Sequence, residues 1–171
     1  MSLKRLLREL NEFTQKTDTT IPPDWNISLV NEDNMFEWKA TFAGPDNTSY
    51  KYGIFEVNIK FPDNYPFKPP KVVFISKMFH PNIMDDGGRI LLDTLGEAWS
   101  PAVSVKILLF SLMVLLQDPN DETDYYKNLK GMEREKLIIE SVLKNGNINS
   151  KFEEEFEQKL IETGLKVNDV K

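Results

Sequence analysis

Phe36-Glu37-Trp38-Lys39-Ala40-Thr41-Phe42-Ala43 and, beyond the turn residues Gly44-Pro45-Asp46-Asn47, Tyr52-Gly53-Ile54-Phe55-Glu56-Val57-Asn58-Ile59-Lys60-Phe61 decide the fold of this 171-residue chain. In both runs aromatic and branched residues partly alternate with polar ones, the signature of strands with one buried face. Working outward, residues 26–30 read as a preceding strand, joined through the turn cluster at residues 31–34. Lys71-Val72-Val73-Phe74-Ile75-Ser76 reads as a fourth. Short connections between successive strands predict an antiparallel meander. Between the third and fourth lie residues 62–70, with four prolines in nine positions. That density excludes helix and predicts a rigid, extended loop.

Helical periodicity flanks the strands. Leu3, Leu6, Leu7, Leu10 and Phe13 recur at helical spacing, with Lys4, Arg5 and Arg8 on other faces. Ile21-Pro22-Pro23 closes that segment. A long stretch without regular periodicity, residues 77–101, precedes Ser104, a residue type suited to cap a helix over residues 105–116. That helix is apolar on nearly every face, which predicts a central position in the core. Residues 133–144 and 152–163 are two further amphipathic helices. The order helix, four strands, long loop, helices is an α+β pattern. We expect a core domain over residues 1–144 and a C-terminal helical extension over residues 145–171, packed on the same domain.

Composition narrows the chemistry. The chain carries no cysteine, a single histidine (His80) and a net charge of −6. Without cysteine there are no disulfides, thiolate metal sites or thiol nucleophiles. An acidic chain lacking a basic cluster is a poor ligand for nucleic acid. Asp85-Asp86-Gly87-Gly88 lacks the ligand spacing and terminal glutamate of a calcium loop, and no metal or cofactor is expected. Residues 1–13 have no uninterrupted apolar stretch of signal-peptide type, and residues 103–116 are shorter than the roughly 20 residues that span a bilayer. The expected location is cytosolic or nuclear, with no membrane partner. Trp25, Trp38 and Trp99 read as anchors of core and loops.

Six short motifs then resemble a ubiquitin-conjugating enzyme in order and near-spacing. They are residues 36–43, Tyr65-Pro66-Phe67-Lys68-Pro69-Pro70-Lys71, His80-Pro81-Asn82-Ile83, Leu92-Asp93, Trp99-Ser100-Pro101-Ala102 and Asp118-Pro119-Asn120. The resemblance runs through residues 1–120 and weakens beyond. It implies an N-terminal helix, a four-stranded antiparallel meander and helices packed after it.

The family's chemistry runs through a cysteine in the pattern Ile-Cys-Leu-Asp, whose thiolate accepts ubiquitin's C-terminal carboxyl group as a thioester and passes it to a lysine amine. Here the pattern is Ile90-Leu91-Leu92-Asp93, so Leu91 stands in the cysteine position. The loop before it, residues 84–89, is one residue longer than usual. A leucine cannot form a thioester, and Thr94 and Ser100 have no poised base in the sequence. The resemblance also implies an oxyanion role for Asn82, which has no intermediate to stabilise without the thiol, so loop-shaping by Asn82 and His80 is the favoured reading. Asp121 and Glu122 lie near the family's acidic gate, but the usual aspartate position falls on Thr123, and no gate residue is assigned.

The family's ligase-recognising surface is implied at Lys4 and Arg5, Phe67, and Ser100-Pro101-Ala102. The expectation is therefore a conjugating-enzyme fold without conjugating activity. It would serve as a binding or regulatory partner for ubiquitin or a ubiquitin-like protein, a ligase, or an active conjugating enzyme. The inactive ubiquitin-conjugating-enzyme variants usually lose His-Pro-Asn and the later helices, whereas this chain retains both. Two alternatives stand beside this one. The first is an active enzyme whose cysteine has been replaced in this chain or lineage. The second is an RWD-type binding module, which shares the fold but not the conjugating motifs.

Overall fold

The computed structural model describes residues 2–16, 18–120, 128–129 and 131–167. Helix α1, Ser2–Thr14, leads into a sheet of β1 (Asn26–Leu29), β2 (Glu37–Ala43), β3 (Ile54–Lys60) and β4 (Lys71–Phe74). The strands lie in sequential order, and every neighbouring pair is antiparallel. Helix α2 spans Val105–Gln117, α3 Gly131–Asn145 and α4 Glu153–Thr163.

Register explains the core. Trp38, Ala40 and Phe42 sit opposite Ile59, Val57 and Phe55, while Val57 and Ile59 also face Phe74 and Val72 across β4. All eight are buried, so the alternation read in the sequence marks a single inner face. The Trp38 indole donates to the Met35 carbonyl at 2.8 Å and packs on Phe61 with 4.7 Å between ring centroids. Trp25, immediately before β1, stacks on Phe110 of α2 at 4.7 Å and joins that helix to the sheet through Phe42.

Four sequence expectations change. Tyr52 is not in a strand: Ser49–Tyr52 form a 3-10 turn capped by Thr48, which accepts from the Tyr50 amide. Residues 62–70 are helix-free but not extended. Their amides close tight turns, Tyr65 to the Pro62 carbonyl (2.9 Å) and Phe67 to that of Asn64 (2.8 Å), with a cis Tyr65-Pro66 bond. In α1, Leu3 and Leu7 are exposed while Glu9 is buried. Finally, α2 is central on one face only. Val105, Leu108, Leu109, Leu112, Leu115 and Leu116 are buried, whereas Ile107, Phe110 and Val114 open to solvent. The composition of an all-apolar helix cannot show which side lacks a cover.

Ser104 caps α2 by accepting from the Ile107 amide. Helix α4 docks through Phe156 onto Tyr52, with centroids 5.4 Å apart, and through the Tyr52 hydroxyl, which donates to Glu155 at 3.0 Å. Burial and the Glu155 carboxylate push the Tyr52 phenol up to about 12, so it keeps its proton and remains a donor.

Candidate functional site

Leu91 is delivered by a narrow loop whose two arms meet at Ile83 and Ile90. The Met84 amide bonds the Arg89 carbonyl at 2.9 Å, and the Gly88 amide bonds that of Met84 at 3.0 Å. Gly88 has φ +71°, and a Cβ there would lie 1.8 Å from the Phe74 carbonyl oxygen. Only glycine lets the loop press against the end of β4, where the Phe74 amide donates to the Gly88 carbonyl at 2.8 Å. One step further, the Leu91 amide donates to the Asn82 carbonyl at 2.8 Å. This places Leu91 beside His80-Pro81-Asn82, with its side chain about half exposed. Leu91, Asn82, Pro81, Leu92 and Asn120 line an open groove of about 880 Å³.

His80 is 5% exposed and spends both ring nitrogens on structure. Nδ1 accepts from the Asn82 amide at 3.0 Å, so Nε2 carries the proton and donates to the Leu115 carbonyl at 2.9 Å. Asn82 is equally committed. Its Nδ2 donates to the Asn120 carbonyl at 2.8 Å, and its Oδ1 accepts from the Asn120 amide at 2.9 Å. This reciprocal pair ties the His-Pro-Asn loop to the chain leaving α2.

Among the described residues, the hydroxyls of Thr94 and Ser100 make no hydrogen bond to a base. The chain's single imidazole is consumed as described. The Thr94 hydroxyl is buried without a hydrogen-bond partner, and Ser100 Oγ accepts from the Ala102 amide at 3.3 Å. A neutral hydroxyl without general-base assistance is a weak nucleophile. Asp121, Glu122 and Thr123 lie outside the described residues.

Burial of His80 has a measurable consequence. It pushes the imidazole down to about 4 from an ordinary 6.5, against a Leu115 hydrogen bond that acts in the opposite direction. Between those values the unfolded chain binds the proton and the folded one does not. Stability is therefore full above pH 6.5 and falls as the pH drops toward 4, by about 3 kcal/mol in all. The imidazole resonance in a proton NMR titration is expected to stay unshifted down to about pH 5. Titration near 6.5 would show the ring to be solvated.

The proposed partner surface assembles from three separate segments. Phe67 is 60% exposed, and Lys4, Ser100, Pro101 and Ala102 are exposed as well. The Trp99 indole donates to the Pro66 carbonyl at 2.8 Å, joining the proline loop to the Ser100–Ala102 turn. Ser2 Oγ donates to the Asp63 carbonyl at 2.5 Å, joining α1 to the same loop. Arg5 departs from expectation. Its guanidinium turns inward to Glu9 and donates to the Pro101 (3.1 Å) and Val103 (3.2 Å) carbonyls, so it holds the turn instead of standing free beside Lys4. Sequence reasoning also missed the strip of Ile107, Phe110 and Val114, which with Leu92 and Thr94 lines a shallow groove of about 380 Å³. The only available signal was an apolar residue at every turn of α2, which reads equally well as full burial.

An N-terminal helix, a four-stranded meander and a His-Pro-Asn loop beside a groove define a conjugating-enzyme scaffold whose groove carries leucine in place of a thiol. The chain belongs to the ubiquitin-conjugating enzyme family, whose model matches residues 5–136. Its structure is similar to the E2 domain of a Toxoplasma gondii ubiquitin conjugating enzyme, with 35% sequence identity, a TM-score of 0.63, and coverage of 71% of this chain and 78% of that one. Within the family it is a member without cysteine.

Proposed function

We infer that this chain is a catalytically inactive conjugating-enzyme fold that works in ubiquitin or ubiquitin-like transfer by binding. Its partners would be a ligase, the modifier itself or an active conjugating enzyme. The observation that carries the reading is Leu91, half exposed in the groove beside the His-Pro-Asn loop. At the family's reacting position there is a hydrocarbon, and among the described residues the hydroxyls of Thr94 and Ser100 are not hydrogen-bonded to a base.

The rim supports a binding role. Phe67 and Pro101 present exposed apolar surface and Lys4 an exposed cation on the segments that form the rim, the composition of a protein-docking patch. The uncovered strip on α2 adds apolar surface that a second protein could cover. The expected setting is cytosol or nucleus.

Affinity isolation of the chain from its native source, run beside Phe67→Ala, tests the role. A ligase, conjugating enzyme or ubiquitin-like protein is expected with the parent. Truncating a central exposed aromatic is expected to cut recovery at least about tenfold. Recovery of none of these classes would reject the proposal.

A further inference from the structure

Behind the exposed rim lies a buried carboxylate bonded to two of the segments that form it, α1 and the proline loop, and to the start of α2. Glu9 is 1% exposed. One oxygen, Oε1, accepts from Arg5 Nε and from the Tyr65 hydroxyl at 2.9 Å; the other, Oε2, accepts from the Val105 amide at 2.7 Å. Glu9 thus joins α1, the proline loop and the first turn of α2, where a carboxylate is favoured by the unpaired amides of a helix N-terminus. Arg5 extends the network outward. Held by Glu9 and lying 5.8 Å over the Tyr65 ring, it directs its remaining donors onto the Pro101 and Val103 carbonyls.

This arrangement leaves few free choices. The Ser100–Ala102 turn lies between Trp99, tied to the Pro66 carbonyl, and Val103, tied to Arg5. Its own exposed residues have little packing to hold them. We propose that Glu9, acting through Arg5, is a positioning residue that sets the Ser100-Pro101-Ala102 turn relative to α1 and so gives the partner-facing rim its shape. This deepens the binding role inferred above and rests on it for its biological meaning, but the clamp itself is measurable on the isolated chain. Arg5 is consequently a positioning group, and Lys4 is the basic contact left to a partner. A lysine cannot replace Arg5, because a single ammonium cannot reach the Glu9 carboxylate and two backbone carbonyls in the fixed fork geometry of a guanidinium.

The cysteine-free background makes the test direct. Arg8→Cys and Ala102→Cys, both at exposed positions, carry spin labels on α1 and on the turn; Lys39→Cys and Glu154→Cys form a control pair on the sheet and α4. Distances are read by pulsed electron spin resonance. The parent is expected to show one narrow distribution for each pair. Arg5→Lys and Glu9→Gln are each expected to widen the 8–102 distribution about twofold while the 39–154 distribution keeps its width. Tyr65→Phe, which leaves the bonds from Arg5 to the turn in place, is expected to keep the 8–102 distribution narrow. Should Glu9→Gln fail to fold, Arg5→Lys decides. An unchanged 8–102 width in Arg5→Lys overturns the proposal, as does equal broadening of both pairs. A narrow parent with a broadened variant but no captured partner would uphold the clamp and reject the binding role.

Discussion

Leu91→Cys is expected to carry ubiquitin as a thioester, where the parent chain is expected to form no ubiquitin adduct. The substitution needs little rearrangement. Leu91 is half exposed, its amide is already held by the Asn82 carbonyl, and the loop is braced by the Gly88 contact on β4. A cysteine placed there would expose its sulfur to the groove, where the thiolate is the attacking species. In the charging step that thiolate attacks the carbonyl of the thioester presented by an activating enzyme, whose own thiol departs. With activating enzyme, ATP and ubiquitin, nonreducing gels should show a band for Leu91→Cys that disappears with added thiol, and no band for the parent. The contrast should be all-or-none, because leucine supplies no nucleophile. A hydroxylamine-sensitive adduct on the parent would reject the inactive reading. A folded revertant that stays uncharged would show that more than one atom separates this scaffold from an active enzyme. A revertant that also discharges onto lysine would favour a recent or deliberate replacement of cysteine at position 91.

The largest expected effect on stability is at Trp38. Its indole is fully buried, bonded to Met35 and packed on Phe61. Trp38→Ala removes that packing and orphans the Met35 carbonyl, at a cost of about 3–5 kcal/mol in urea unfolding. That is a large part of the roughly 5–15 kcal/mol that holds a typical domain together. Its neighbour Lys39 points to the opposite face and makes only an exposed pair with Glu56 at 3.7 Å. Lys39→Ala should therefore change stability by no more than about 0.5 kcal/mol. Equal losses at the two positions would contradict the register of β2 against β3.

Much of the architecture was legible because alternation and turn chemistry are local. The period-two pattern at Trp38, Ala40 and Phe42 and the turn residues between strands led to the meander, and Ser104 marked the start of α2. Tyr52 was misplaced because a 3-10 turn capped by Thr48 is stabilised by one side-chain oxygen, a signal that an aromatic residue beside strand-like neighbours obscures. The proline loop looked extended because proline density reports φ and not the turns that the intervening amides close.

The sequence by itself determined the meander, the family motifs and the absence of a thiol at position 91, since each is a matter of residue type at a given spacing. Tertiary structure alone decided what the motif side chains touch. It turned Arg5 inward to a buried Glu9, locked Asn82 to the backbone of Asn120, and left one side of α2 open. Arg5 and Glu9 are only one helical turn apart, but the burial of Glu9 and the pairing of Asn82 depend on segments far apart in the chain, where a polar group's partners are set by what the fold brings within hydrogen-bond reach.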